Sequence, residues 1–169
     1  IDPHESEGGI LAVAPDGRRI VILEKGPAHP VLRIYDTGSG LLHRTIGIPR
    51  SILRAGHKVL IPSENNLSWD DRGELLLFAA SGRVGPALCL LDIRTASVSE
   101  VLSLPFSVIM HPSLSPDGNR IVFAAVGSSA SDIYIVDRRT HVISRLTDDA
   151  LFECHPTFTP DGNKVLYSS

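Results

Sequence analysis

The sequence predicts an all-β fold of short, four-stranded antiparallel sheets repeated along the chain, and three observations carry the prediction. Pro-Asp-Gly recurs at Pro15-Asp16-Gly17, Pro116-Asp117-Gly118 and Pro160-Asp161-Gly162, with a degenerate copy at Asp71-Arg72-Gly73, so that the four glycines lie 56, 45 and 44 residues apart. An aspartate (Asp36, Asp92 or Asp137) stands nineteen residues after each of the first three glycines. Short β-branched and aromatic runs flank every glycine, and no stretch of helical length carries a 3.6-residue apolar period.

Aligning the copies on the glycine predicts each element in order. Val13, Trp69, Leu114 and Phe158 stand four residues before it and close a first strand. Proline fixes φ, aspartate bonds its own turn backbone and glycine accepts positive φ, so the tripeptide makes a tight hairpin turn. The second strand follows at Ile20-Val21-Ile22, Leu76-Leu77-Phe78, Ile121-Val122-Phe123 and Val165-Leu166-Tyr167. The third precedes the repeated aspartate, at Val31 to Tyr35, Ala87 to Leu91 and Ile133 to Val136. Polar residues after that aspartate predict a second turn, and the matching Ile46-Gly47-Ile48-Pro49 and Leu102-Ser103-Leu104-Pro105 predict a fourth strand. Four short strands in a repeat of about 45 residues are the signature of a β-propeller blade.

The count gives about three and a half four-stranded blades within one partial propeller domain over residues 1–169. The blades span about 8–49, 64–107 and 108–150, with a half-blade at 151–169 and an inserted loop at about 50–61. Propellers close with about four to eight blades, so the expectation is an open arc of a larger ring that meets its remaining blades or self-associates. The chain begins with Ile1 rather than Met, which fits a piece of something longer.

Composition narrows the function classes. With 43% hydrophobic and 21% charged residues the chain can bury a core, whereas no apolar run exceeds the length of Leu75 to Ala80, far short of the roughly 20 residues of a spanning helix. Sixteen Lys and Arg against nineteen Asp and Glu, spread without blocks, give a net charge of −3 and no footprint for nucleic acid. The expectation is no nucleic acid and no membrane insertion. Two cysteines, Cys89 and Cys154, make neither a disulfide scaffold nor a CxxC metal site. No Gly-x-Ser-x-Gly elbow, HExxH, EF-hand or Gly-x-Gly-x-x-Gly occurs. Asp36-Thr37-Gly38-Ser39 spells an aspartic-protease signature, but Asp36 falls on the column shared with Asp92 and Asp137 and reads as a turn residue.

The stretch from Leu114-Ser115-Pro116-Asp117-Gly118 through Ile121-Val122-Phe123, then Asp132-Ile133-Tyr134-Ile135-Val136-Asp137 and Arg145-Leu146-Thr147, resembles a consensus unit of a known family. These are the WD-repeat-like propeller repeats of TolB-type periplasmic proteins, also found in prolyl-oligopeptidase and dipeptidyl-peptidase propellers. The resemblance implies a propeller fold and a periplasmic or secreted location. Unrelated activities share the repeat, so function has to come from the site.

In a propeller, sites gather on the face where the outermost strand hands over to the next blade and where the second and third strands connect. Seven residues before the turn glycine stand Ile10, Asn66, His111 and His155, so two neighbouring blades present a histidine, each followed by proline. Two imidazoles on adjacent innermost strands, with Glu153 beside the second, are the candidate ligands for a divalent metal or an anion. The Cys154 to Gly162 stretch is similar to oligogalacturonate lyases, a propeller family with a histidine-held manganese. The inserted segment brings Arg50, Arg54, His57 and Lys58 to the same face as candidate partner contacts, together with Asn66. The leading expectation is a non-catalytic TolB-like scaffold that binds a protein or peptide partner there and needs no cofactor. The alternative is the propeller part of an enzyme, either the gating domain of a prolyl-oligopeptidase-type serine peptidase or a lyase-like protein with a His-metal centre.

Overall fold

The computed structural model describes residues 9–24, 30–48, 67–82, 85–126 and 130–169. Among them the chain forms only strands, in sheets whose hydrogen-bonded order follows the sequence. The first blade is β1 (Ile10–Val13), β2 (Arg19–Glu24), β3 (Val31–Asp36) and β4 (Leu42–Gly47). The second is β5 (Ser68–Trp69), β6 (Leu75–Gly82), β7 (Gly85–Asp92) and β8 (Ser97–Ser103). The third is β9 (Ile109–Leu114), β10 (Arg120–Val126), β11 (Ser131–Asp137) and β12 (Ile143–Arg145). A two-stranded sheet, β13 (Cys154–Phe158) with β14 (Val165–Ser168), completes the described arc. All pairs within the sheets are antiparallel.

One prediction shifts. The fourth strand was expected at Ile46 to Pro49 and Leu102 to Pro105, yet β4 and β8 begin at Leu42 and Ser97. Most of β4 is exposed, so only the buried Ile46 and Ile48 gave an apolar signal. An outermost strand needs hydrogen bonds to its neighbour more than it needs a packed side chain.

The cores lie between blades rather than within them. Side chains alternate across a sheet, and β6 uses both faces: Leu76 and Phe78 join Val21, Leu23, Leu32 and Ile34 of the first blade, while Leu77 joins Leu114, Ile121 and Phe123 of the third. Strand β7 divides likewise, with Cys89 and Leu91 toward the first blade and Leu88 and Leu90 toward the third. A third cluster of Val122, Ala124, Ile133 and Phe158 joins the third blade to the last sheet. A middle blade is thus buried on both faces, which is why Leu75 to Ala80 reads as an unbroken apolar run. Phe78 and Phe123 are fully enclosed, and truncating such a ring costs about 3–5 kcal/mol.

The turns repeat their chemistry as closely as the strands do. Gly17, Gly73, Gly118 and Gly162 all have φ between 64° and 72°. Each Pro-Asp-Gly aspartate accepts a backbone N–H two residues on: Arg18 for Asp16, Asn119 for Asp117 and Asn163 for Asp161. In the degenerate copy the buried Asp70 takes over, accepting the amides of Glu74 and Leu75 at 2.8 and 2.9 Å. In the second turn Asp36, Asp92 and Asp137 accept the amides of Ser39, Thr95 and Thr140. The residue after that Ser or Thr, which is Gly40, Ala96 or His141, has positive φ in each case.

Candidate functional site

His111 and His155 sit where the innermost strands β9 and β13 lose their register. In β9, Ser113 pairs with Val122 and Met110 with Ala124, so His111 and Pro112 bulge opposite Phe123. In β13, Thr157 pairs with Leu166 and Cys154 with Ser168, so His155 and Pro156 bulge opposite Tyr167. A bulge frees one residue from the ladder, which suits a proline that has no N–H to give. Each histidine takes the left-handed conformation, with φ 50° at His111 and 52° at His155. Such a backbone costs a non-glycine residue about 1–3 kcal/mol and persists only where its surroundings enforce it.

The bulges bring the two imidazoles together. Their centroids are 3.8 Å apart and their planes 26° from parallel. The His155 amide donates to His111 Nδ1 at 3.4 Å, which leaves the proton of a neutral His111 on Nε2. His111 is buried and His155 exposed, with His155 Nδ1 3.1 Å from the half-buried Cys154 Sγ.

Glu153, proposed beside them from the sequence, is buried and held by the neighbouring blade. Its Oε2 accepts from Thr147 Oγ1, its amide donates to the Ser131 carbonyl at 3.1 Å, and its own carbonyl accepts from Ser131 Oγ at 2.5 Å. These bonds fasten the connection into β13 onto the start of β11. Among the described residues no group of three or more His, Cys, Asp or Glu is disposed to hold a metal ion. The two imidazoles are stacked nearly face to face, with only the His155 ring exposed. Arg50, Arg54, His57, Lys58 and Asn66, together with the inserted loop, lie outside the described residues.

Other candidates resolve into structure. Asp36 accepts both the amide and the hydroxyl of Ser39, at 2.8 and 2.7 Å, as a turn residue does. Cys89 is fully buried, and desolvation pushes its thiol up to about 12. Trp69 packs against the first core under the Arg19 guanidinium. Sequence reasoning missed two polar features. Arg145 bridges the buried Asp132 and the exposed Asp148, each at 2.7 Å. A cleft at the seam of the first two blades gathers Arg19, His43, Arg44 and Arg94. The four cleft residues fall in different columns of the repeat, so no linear motif marks the cleft.

Sheets of up to four antiparallel strands, following one another in sequence and packed face on face, define a segment of a β-propeller. The profile of the TolB beta propeller domain matches residues 49–169, well over half of the chain. The chain belongs to that family. Among solved structures it is similar to TolB from Acinetobacter baumannii, with a TM-score of 0.69 and 22% identity over 94% of this chain and 36% of that one. It is also similar to a putative TolB from Agrobacterium tumefaciens, with a TM-score of 0.66 and 18% identity over 94% of this chain and 52% of that one. Kuenenia stuttgartiensis hydrazine synthase matches with a TM-score of 0.66 and 15% identity, over 93% and 48% of the two chains. The chain therefore spans about a third to a half of the structures it matches. No curated protein matches the sequence.

Proposed function

We propose that this chain is the partner-binding propeller of a TolB-type protein, and that it takes a protein or peptide on the face where His111 and His155 meet. The observation that supports the reading is the repeated strain: two adjacent innermost strands each hold a histidine in the left-handed conformation and stack the rings 3.8 Å apart. Stability alone favours glycine or asparagine at such a backbone. A site that presents an aromatic, hydrogen-bonding surface gives a reason for histidine. The exposed His155 ring joins an apolar face to polar edges, so it can give a partner both stacking area and a hydrogen bond. The TolB resemblance adds a periplasmic location to the reading.

The test is site-specific photocrosslinking in cells, with the photoreactive residue at position 155 and, as control, at the exposed Ser39 on the opposite rim. A discrete protein adduct from 155, absent from 39 and lost when His111→Ala is added, is the expected result. Equal labelling from both positions overturns the proposal.

A further inference from the structure

At the other end of the strands from the histidine pair, Arg19, Ile34, His43, Arg44, Ile93 and Arg94 line a cleft of about 200 Å³ between the first two blades. Chain direction sets its place: Arg19 opens β2, His43 and Arg44 open β4, and Ile93-Arg94 follow β7, all at the end that carries the Pro-Asp-Gly turns. The guanidiniums are not equally occupied. Arg19 pairs with Asp16 and Arg94 with Glu74, each at 3.3 Å, and these carboxylates are 43% and 45% exposed. Those distances exceed the 2.7–2.9 Å or so of a tight charge-assisted bond. Asp36 is the acid that faces His43. Arg44 instead spends Nη1 on two carbonyls, Ile93 at 3.0 Å and Arg94 at 3.2 Å, and among the described residues no carboxylate pairs with it. The floor is apolar, because Ile34 and Ile93 are both buried core residues.

A guanidinium with no carboxylate partner among the described residues, over an apolar floor, calls for a ligand with one negative charge and a short aliphatic body. A guanidinium fork matches a planar carboxylate. The volume is below the roughly 300 Å³ at which drug-sized pockets begin, which confines the ligand to a few carbons. We propose that this cleft binds a single carboxylate group, with Arg44 as its charged partner, Arg94 and His43 beside it and its methylenes on Ile34 and Ile93. The carboxylate belongs to a free short-chain acid or to an acidic side chain, and the chemistry of recognition is shared. The site is separate from the histidine face and stands or falls independently of it.

The test titrates the arginine Nε–H resonances of the ¹⁵N-labelled full chain with butyrate and with N-acetylglutamate amide, at ionic strength matched with chloride. Saturable shifts at Arg44 and Arg94 are expected, with a Kd on the order of millimolar. Arg44→Ala weakens binding about tenfold, the loss of one charged hydrogen-bonding partner. Arg94→Gln, on a side chain 70% exposed and so without consequence for folding, weakens it by a smaller factor. Saturation by butyrate assigns a free acid; saturation by the glutamate derivative alone assigns a peptide side chain. Linear shifts equal to those of chloride, shifts unaffected by either substitution, or saturation by inorganic phosphate but by neither carboxylate would overturn the proposal.

Discussion

Arg120 of the third blade lies over the ring of Phe158 in the next, 5.3 Å from its centroid, and its Nη2 donates to the Gly162 carbonyl at 2.6 Å. The first seam repeats the arrangement: Arg19 lies 5.7 Å from the Trp69 centroid, with Nη2 close to Gly73. At the middle seam the equivalent positions are Leu75 and Leu114, which pack in one apolar cluster. Each seam is therefore matched, cation to ring or leucine to leucine, by residues two after and four before successive turn glycines.

Removing both members of a matched pair should cost less than the sum of removing each alone. Arg120→Ala is expected to cost about 1–3 kcal/mol, from the ring contact together with the charged hydrogen bond. A double-mutant cycle with Phe158→Leu should return a coupling of at least about 0.5 kcal/mol by urea unfolding. A coupling of zero means that the seam is held by its apolar core alone.

The turn aspartates set an acid limit. Asp117 is brought down to about 2 by the Ser115 hydroxyl and the Asn119 amide. Asp36 is lowered by Ser39, Asp92 by Thr95, Asp137 by Thr140 and Asp161 by Thr159. All lie below the unfolded value of about 3.9, so their contribution is complete above about pH 4 and is lost as the pH falls toward the folded values. The urea midpoint should hold steady from neutrality to about pH 4 and then drop. Asp117→Asn should lower the midpoint at neutral pH and shallow that drop.

Glycine substitutions separate backbone strain from crowding. Around Gly17 (φ 67°) a methyl group meets nothing within 4 Å, so Gly17→Ala carries only the left-handed penalty of about 1–2 kcal/mol. Gly17→Asn should recover part of it. At Gly118 (φ 72°) the added carbon comes within 3.5 Å of Leu75 Cδ1, an ordinary contact, so Gly118→Ala should cost the same. A larger loss at 118, read from thermal unfolding, would show that the middle seam does not yield.

His155→Gly should relieve backbone strain and leave unfolding stability equal or higher, while crosslinking from a photoreactive residue at the neighbouring exposed Thr157 falls. Stability and recognition then move in opposite directions, the pattern of a residue retained for function. A fall in stability of more than about 1 kcal/mol would instead make the ring stack a structural contact.

The native chain should react with a thiol reagent once. Cys154 is half-buried, whereas Cys89 is enclosed and its thiol is pushed up to about 12. Stoichiometric labelling of Cys89 under native conditions would reveal opening of the second blade.

The repeat made most of this fold legible, because its turns depend on local chemistry that a single sequence displays. Positive φ at Gly17, self-bonding at Asp117 and alternation in β2 are all written within a few residues. The outer strand β4 was less legible, since Leu42 to Thr45 is exposed and only pairing defines it. The histidine column was visible as equal offsets from the turn glycines, but the bulges that stack the rings depend on both strands of each hairpin. The basic cleft was illegible because Arg44 and Arg94 meet only across a seam, 50 residues apart in sequence.

The matched seams also bear on blade order. Moving the second blade behind the third would set Arg120 against Trp69 in place of Phe158, and Trp69 accepts a cation as readily. The same exchange, however, would face Arg19 with Leu114 and leave a cation over an aliphatic side chain. The alternation therefore works as an address on each sheet: exchanging two blades keeps one seam matched and unmatches another, although every blade is cut from the same pattern.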